Sequence, residues 1–250
     1  HQLTLALGVT GTPSLAERVA HIEHASGTGL LNPTWVEWLM GLPPGWTDLK
    51  DLATPSSPPS VSMSATYSSP QPEPAMNRPY ADAARAYWSA GWANPIPVER
   101  KWPPPKGYTG YDGKNVSWPD IQAWLDGEEG DHNIALRLPD DIIGIDVDAH
   151  DGKSGEMSLA AAEAALGPLP PTARSTSRAS FGASGIRFYR VPPGANLRGA
   201  EKRFRARFGD HVDIIRRDHR YAVVWPSVHP DTGNTYTWYD ENVATREIPK

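Results

Sequence analysis

The chain has 250 residues, enough for one domain of ordinary size with added segments, and its 26 prolines suggest that part of it is extended. It has no cysteine, which excludes disulfides, cysteine nucleophiles and thiolate zinc sites and fits a cytoplasmic protein, and no apolar run approaches the ~20 residues of a membrane span. The net charge of −5 hides a basic block, because residues 172–220 carry twelve Arg or Lys against four Asp or Glu. Such a block predicts a surface that meets phosphates, the alternative being an arginine-rich solvated surface.

Residues 1–53 form a first segment that contains a predicted amphipathic helix. Asn32 is a good N-cap, Pro33 suits the first helical position, and Gly41 predicts the end. Residues 30–50 closely resemble the C-terminal tail of phage-type DNA cytosine methyltransferases. Those enzymes attack cytosine through a cysteine, which this chain lacks, so their activity does not carry over. We interpret the segment as a fusion remnant whose removal leaves the rest of the chain stable.

Residues 54–77 are mostly Ser and Pro, a composition that predicts a disordered, flexible linker. The remaining residues, 78–250, form the predicted main domain. Its first half has helical spacing of apolar residues in three short runs, and its second half has mostly strand patterns. This order predicts an α+β fold in which helices flank a mostly antiparallel sheet.

The basic segment Lys202–Phe208 alternates between apolar and basic residues. Arg203, Arg205 and Arg207 occupy every second position, which predicts an antiparallel strand with one core face and one basic face. We interpret these three arginines as a nucleic-acid-binding surface.

A predicted strand at residues 142–147 carries the most informative acidic motif. Side chains alternate along a strand, so Asp146 and Asp148 share one face, and two like charges there favour a cation between them. With oxygen ligands only, Mg²⁺ or Mn²⁺ fits this site. The alternative is a solvated strand end with two unrelated aspartates.

Asp213 is a third candidate carboxylate, in a predicted strand at residues 212–215. A charged residue among apolar neighbours is costly unless it is paired or binds an ion. Three aspartates beside an arginine-rich face fit two-metal phosphoryl or nucleotidyl transfer. The alternative for Asp213 is an ion pair with a nearby arginine.

Six short motifs occur in a fixed order along the main domain. They are Tyr87–Trp92, Lys101–Gly107, Asn133–Arg137, Ile145–Asp148, Ser184–Gly185 with the following strand, and Val212–Asp213 leading to Tyr221 and Trp225–Pro230. With these motifs the chain resembles, from about residue 80 to 249, the N-terminal domain of bifunctional DNA primase/polymerases of the archaeo-eukaryotic primase superfamily.

The resemblance implies a primase-polymerase fold and two Mg²⁺ or Mn²⁺ ions held by Asp146, Asp148 and Asp213. It also implies nucleotide contacts from Ser184 and the strand that follows, where Arg187 stands near the position of a family histidine. The candidates for triphosphate binding are Arg178, Arg187 and Arg190, with Lys101 and Lys106 as weaker ones. We interpret His229 as a structural residue.

The activity that the resemblance implies is the joining of nucleoside triphosphates on a single-stranded DNA template, in phage or plasmid replication. A replicative helicase is the implied protein partner, and no membrane is involved. Two other classes remain open, namely a non-catalytic nucleic-acid-binding module and a metal-dependent phosphodiesterase. The first would need no metal, and the second would degrade nucleic acid without triphosphates.

Overall fold

The structure, a computed structural model, describes residues 29–43, 78–92, 94–178, 182–240, 243–245 and 248–249. The predicted linker at 54–77 and most of the 1–53 segment lie outside the described residues. The helices are α1 (Pro33–Met40), α2 (Pro79–Ser89), α3 (Trp118–Asp126), α4 (Gly155–Leu166) and α5 (Ala200–Phe208), with a 3₁₀ turn at Glu128–Asp131. None of the described helices is long and apolar enough to cross a membrane.

Ten strands form two sheets in the described part of the chain. The strands are β1 (Gly29–Leu30), β2 (Pro95–Val98), β3 (Asn133–Leu136), β4 (Ile142–Val147), β5 (Arg174–Thr176), β6 (Gly185–Arg190), β7 (Val212–Ile215), β8 (Ala222–Val223), β9 (Thr237–Asp240) and β10 (Val243–Thr245). The large sheet has the order β10-β9-β5-β6-β4-β7, and the small sheet has the order β2-β3-β8. Among the described pairings only β1–β6 is parallel. The predicted α+β class with a mostly antiparallel sheet is confirmed.

The two faces of the large sheet pack against different elements. One face, which we call the aspartate face because Asp146 lies on it, packs through Phe188 against Trp92 and Trp238. The other face, here the helix face, packs through residues such as Ile145 against α1, α4 and α5. The sheet is therefore buried on both sides over much of its area, as its apolar central strands require.

Two helix starts follow the predicted capping chemistry. The side chain of Asn32 accepts a hydrogen bond from the Trp35 backbone N–H (3.0 Å), and Gly41 ends α1 with φ of +83°. Ser117 and Asp120 form a reciprocal capping box at the start of α3. These local predictions are confirmed because caps depend only on residues that are close in sequence.

The segment around α1 packs on the main domain, contrary to the expectation that it is separable. Trp35 is fully buried, stacks on Phe204 of α5 at 6.4 Å and donates from its indole N–H to the Gly167 carbonyl (2.9 Å). Gly29 pairs with Tyr189 of β6 in register. The described residues 29–43 therefore contribute to the core of the helix face.

Residues 202–208 are helical, so the predicted strand there is wrong. The helix α5 begins after Gly199 and ends at Gly209, and it buries Phe204 against α1. Its arginines are partly committed to local contacts. Arg203 donates to the Leu39 and Arg198 carbonyls, and Arg205 pairs with Asp210 at 2.9 Å. A continuous basic strand face does not exist in this region.

Candidate active site

The pairing of β4 with β7 brings two of the predicted carboxylates together. Asp146 and Asp213 are direct partners across the antiparallel pair, so their side chains leave the same face of the sheet side by side. Asp148 follows two residues after Asp146, just beyond the end of β4. Its backbone is fixed, since its N–H donates to the His211 carbonyl (2.9 Å) and its carbonyl accepts from Gly155 (3.0 Å).

Asp146 is the least compensated of the three carboxylates. Burial, and then the charges of Asp148 and Asp213, raise its pKa to about 7, while Lys101 and Arg220 oppose the rise. No basic side chain of the described residues lies within ion-pair distance of Asp146, although Asp148 and Asp213 both have such partners. A cation added beside Asp146 would relieve both the burial and the repulsion.

The other two carboxylates already have cationic partners. Asp148 lies 2.8 Å from the Lys153 ammonium and 3.3 Å from His150 Nε2. Burial alone would raise the pKa of Asp148, but the hydrogen bonds and charges of these partners outweigh it and hold that pKa below its ordinary value. Asp213 pairs with Arg220 at 3.2 Å.

The oxygen donors suit Mg²⁺ or Mn²⁺ in chemical type, but they are not arranged around a shared ion. Within the described residues no group of three or more His, Asp or Glu side chains is positioned to hold a metal. Ion binding by all three aspartates would require Asp148 and Asp213 to leave Lys153 and Arg220. The fit to a metal thus rests on the uncompensated carboxyl of Asp146 and on donor chemistry.

A small cavity of about 70 Å³ opens next to Asp146 and Asp148, and basic residues line its other side. Lys101 Nζ lies 3.0 Å from His229 Nε2, and Arg178 lies 3.7 Å from the carboxylate of Asp151. Burial lowers the pKa of Lys101, while the charges of Asp146 and Asp148 oppose this effect. The cavity therefore places carboxylates and cations face to face, as a site for a phosphate–metal complex requires.

Backbone strain collects at the three aspartates. Asp151, His211 and Arg220 are the non-glycine residues with positive φ (51°, 68° and 65°) in the described chain. Asp151 follows Asp148 closely, His211 accepts the Asp148 N–H, and Arg220 pairs with Asp213. Such conformations cost about 1–3 kcal/mol each and persist where the surroundings impose them, often at functional sites.

The turn that carries Asp148 is held by two small residues. The hydroxyl of Ser184 accepts a hydrogen bond from the Ala149 N–H (3.0 Å), so Ser184 lies at the cavity as predicted and supports the turn. A side chain at Gly155 would collide with the carbonyls of Asp148 and His211, so only glycine allows α4 to start so close to the site.

Arg187 is on the wrong face of the sheet for the role predicted from the sequence. It pairs with Ile145 in the β4–β6 register, whereas Ile186 is the direct partner of Asp146. Side chains of neighbouring residues leave opposite faces of a strand, so Arg187 is on the helix face and an apolar residue stands opposite Asp146. The predicted contact between Arg187 and a triphosphate at the aspartates is therefore wrong.

Arg190 is also away from the cavity. It pairs with Ile142, at the far end of β4 from Asp146, and forms an ion pair with Asp141 at 2.9 Å. Of the arginines predicted to bind triphosphate, only Arg178 lines the cavity.

Two cavity residues were underrated by the sequence analysis. Lys101 was a secondary candidate, and His229 was interpreted as structural. His229 does support a turn, since its Nδ1 accepts from the Asp231 N–H (3.2 Å), but its other nitrogen faces Lys101 in the cavity. The signal for both was their place in the Lys101–Gly107 and Trp225–Pro230 motifs.

Comparison with known proteins identifies a matching family. The family described as bifunctional DNA primase/polymerase, N-terminal, matches residues 84–250. That range contains every residue of the cavity and both strands that carry Asp146 and Asp213. No curated protein and no solved structure matches the chain.

Proposed function

Because the chain belongs to the family of bifunctional DNA primase/polymerase N-terminal domains, we propose that it is a template-dependent nucleotidyltransferase. In the proposed reaction a 3′-hydroxyl oxygen attacks the α-phosphorus of a nucleoside triphosphate, and the bond to the β-phosphate breaks to release pyrophosphate. The observation that carries the proposal is the side-by-side placement of Asp146 and Asp213, with Asp148 beside them, opposite the cations Lys101 and Arg178.

We assign Asp146, Asp148 and Asp213 as the residues that would hold two Mg²⁺ or Mn²⁺ ions. Bound ions of this kind stabilise charge on the attacking and leaving oxygens. Lys101 and Arg178 would neutralise the triphosphate as charged hydrogen-bond donors. Ser184 keeps the Asp148 turn in place by accepting from Ala149.

The template is proposed to be single-stranded DNA, and its contact surface the loop that leads away from Lys101. Trp102 is 73% exposed there and has Lys101 and Lys106 as basic neighbours. The loop is fixed where it leaves the core, because Tyr221 donates to the Lys101 carbonyl (2.7 Å) and Asn133 donates to the Arg100 carbonyl (2.5 Å). An exposed aromatic ring beside cations suits base stacking on a single strand.

We expect Trp102→Ala to weaken binding of a single-stranded oligonucleotide by about 5- to 100-fold, since stacking of a base on an aromatic ring is worth ~1–3 kcal/mol. Fluorescence anisotropy with a labelled oligonucleotide measures this. Trp118→Ala is the matched control, because Trp118 is also exposed but lies in α3. Equal losses in both variants would contradict the assignment of the loop.

The biological setting is the least supported part of the proposal. We place the reaction in the cytoplasm, in the replication of a phage or plasmid and with a replicative helicase as partner. These three statements rest on the family resemblance, and no contact of the described residues supports them.

A non-catalytic nucleic-acid-binding module is the second candidate, and one observation favours it. Asp148 and Asp213 are already paired with Lys153 and Arg220, and Ile186 faces Asp146 where a polar contact to a nucleotide would be useful. Such a module would bind DNA without a need for metal or triphosphate.

The test of the proposed function is synthesis on unprimed single-stranded DNA, with ribo- or deoxynucleoside triphosphates and with Mg²⁺ or Mn²⁺. We expect products longer than a dinucleotide that require the template and a divalent ion. Shortening of the template without triphosphates would instead indicate a phosphodiesterase, and DNA binding without products would indicate the module.

A further inference from the structure

A second cavity lies on the helix face of the large sheet, behind the strands that carry the aspartates. It has a volume of about 430 Å³, and its walls include Arg174, Arg187, Tyr189, Tyr239, Glu163 and Leu159. Arg187, Arg174 and Tyr239 stand in one row across the sheet, since Arg174 pairs with both of the others. Paired residues share a face, so this row points away from Asp146.

Arg187 brings an incompletely used guanidinium to this cavity. One of its terminal nitrogens donates to the Ala183 carbonyl (2.9 Å), and no carboxylate of the described residues lies within ion-pair distance. Its other nitrogens have no partner among the described residues, yet none of them is fully enclosed. They therefore face the open space of the cavity as free donors.

A second cation strengthens the case for an anion. Arg174 is only 5% exposed, donates to the Gly182 carbonyl and lies with its guanidinium 5.5 Å from the ring centre of Tyr239. Its charge and that of Arg187 repel each other, an effect that adds to burial in lowering the pKa of Arg174. Arginine nevertheless stays protonated in proteins, so both charges persist.

The nearest acidic group does not cancel these charges. Glu163 lines the cavity, but one of its oxygens accepts a hydrogen bond from the Leu169 N–H (3.0 Å), and it is not ion-paired with Arg187 or Arg174 in the described residues. An external anion with several oxygens would satisfy the free donors of Arg187 and reduce the repulsion from Arg174.

The remaining walls suit a flat organic group. Tyr189 uses its hydroxyl to donate to the Pro170 carbonyl (2.8 Å), so it presents mainly its ring to the cavity, next to Leu159 and Pro171. Tyr239 adds a second aromatic wall. The volume falls within the range of sites for small organic ligands, about 300–1,000 Å³.

We propose that this cavity binds a phosphate-bearing organic ligand of nucleotide size, with its phosphate on Arg187 and Arg174 and its ring system against the tyrosines. A phosphate monoester carries a charge of about −1.5 to −2 at neutral pH and three acceptor oxygens, which matches two guanidinium groups better than a carboxylate does. The proposal does not depend on polymerase activity, because the cavity and the aspartates are on opposite faces of the sheet.

The test is calorimetric titration of the full chain with adenosine 5′-monophosphate, without divalent ions and without DNA. We expect binding that Arg187→Met weakens at least tenfold and that inorganic phosphate competes away. Arg178→Met is the matched control, because Arg178 lies at the aspartate cavity and its loss should leave this binding unchanged. Benzoate and adenosine, titrated in parallel, should bind more weakly than the monophosphate.

Each opposite result overturns the proposal. A loss in Arg178→Met with none in Arg187→Met would assign the ligand to the aspartate cavity, and equal binding of adenosine or benzoate would remove the phosphate. If Arg187→Met does not fold, Arg187→Lys decides, since lysine keeps the charge but cannot grip two oxygens at once. We expect Arg187→Lys to bind the monophosphate at least fivefold more weakly, and unchanged affinity would contradict the assignment.

Discussion

Replacing Asp146 or Asp148 by asparagine is expected to reduce template-dependent nucleotide incorporation at least ~100-fold, because charge stabilisation at the reacting phosphate depends on these carboxylates. Asparagine keeps the shape of the side chain, so the loss would report charge and not packing. Asp140→Asn is a matched control, since Asp140 is exposed, pairs with Arg217 and lies before β4, away from the cavity. Activity above a few per cent in Asp146→Asn would contradict the assignment.

The stability of the same variant provides an independent check on Asp146. Its pKa is about 7 in the folded chain and ~3.9 in an unfolded one, so the folded state holds this proton more tightly. The resulting stability is fully present below about pH 4 and is lost as the pH rises through about 7. Without divalent ions, Asp146→Asn should therefore be more stable than the wild type at pH 8, by ~1–2 kcal/mol after allowance for solvent screening.

The second large effect is expected from Trp35 of α1. Trp35→Ala should lower the free energy of unfolding by about 3–5 kcal/mol, because it empties a fully buried site between α1 and α5 and removes the bond to Gly167. Urea unfolding followed by circular dichroism measures the change. Trp102→Ala, which removes an exposed tryptophan, should alter stability by less than about 0.5 kcal/mol.

A truncation extends the same prediction to the whole segment. Removing residues 1–43 should destabilise the remainder as strongly as Trp35→Ala or more, since it exposes Phe204 and leaves β6 without its partner Gly29–Leu30. Unchanged stability of the truncated chain would show that the resemblance to a methyltransferase tail is the better guide to this segment.

Local sequence signals predicted the elements that local contacts determine. Asn32, Pro33 and Gly41 define the ends of α1 without help from the rest of the chain. The sequence also showed that α1 has a tryptophan-rich face to bury, but it held no information on what covers that face. The partner, α5, lies more than 150 residues away in the chain.

The helix α5 shows why a short alternating pattern misleads. Phe204 and Phe208 are two alternating positions apart, as in a strand, but they are also four residues apart, which places them on one side of a helix. Both contact Trp38 of α1, and Ala206 between them is exposed. The flanking glycines Gly199 and Gly209 were the better signal, since they mark the ends of the helix.

Strand parity placed the aspartates correctly and misplaced Arg187 for the same reason. The positions of Asp146 and Asp148 relative to each other follow from a single strand, whose alternation is a local property. The position of Arg187 relative to Asp146 depends on the register between two strands, and a shift of one residue moves a side chain to the other face. Lys101 and His229 reach the cavity from separate loops, so only the tertiary structure shows that they meet.

The central claim, that these aspartates support nucleotidyl transfer, is tested most directly by the ratio of pyrophosphate released to nucleotide incorporated on unprimed single-stranded DNA. We predict one pyrophosphate for each nucleotide incorporated, with both products dependent on template and on Mg²⁺ or Mn²⁺, and with both lost in Asp146→Asn. Template binding without pyrophosphate release in the wild type, or release that persists in Asp146→Asn, would contradict the account.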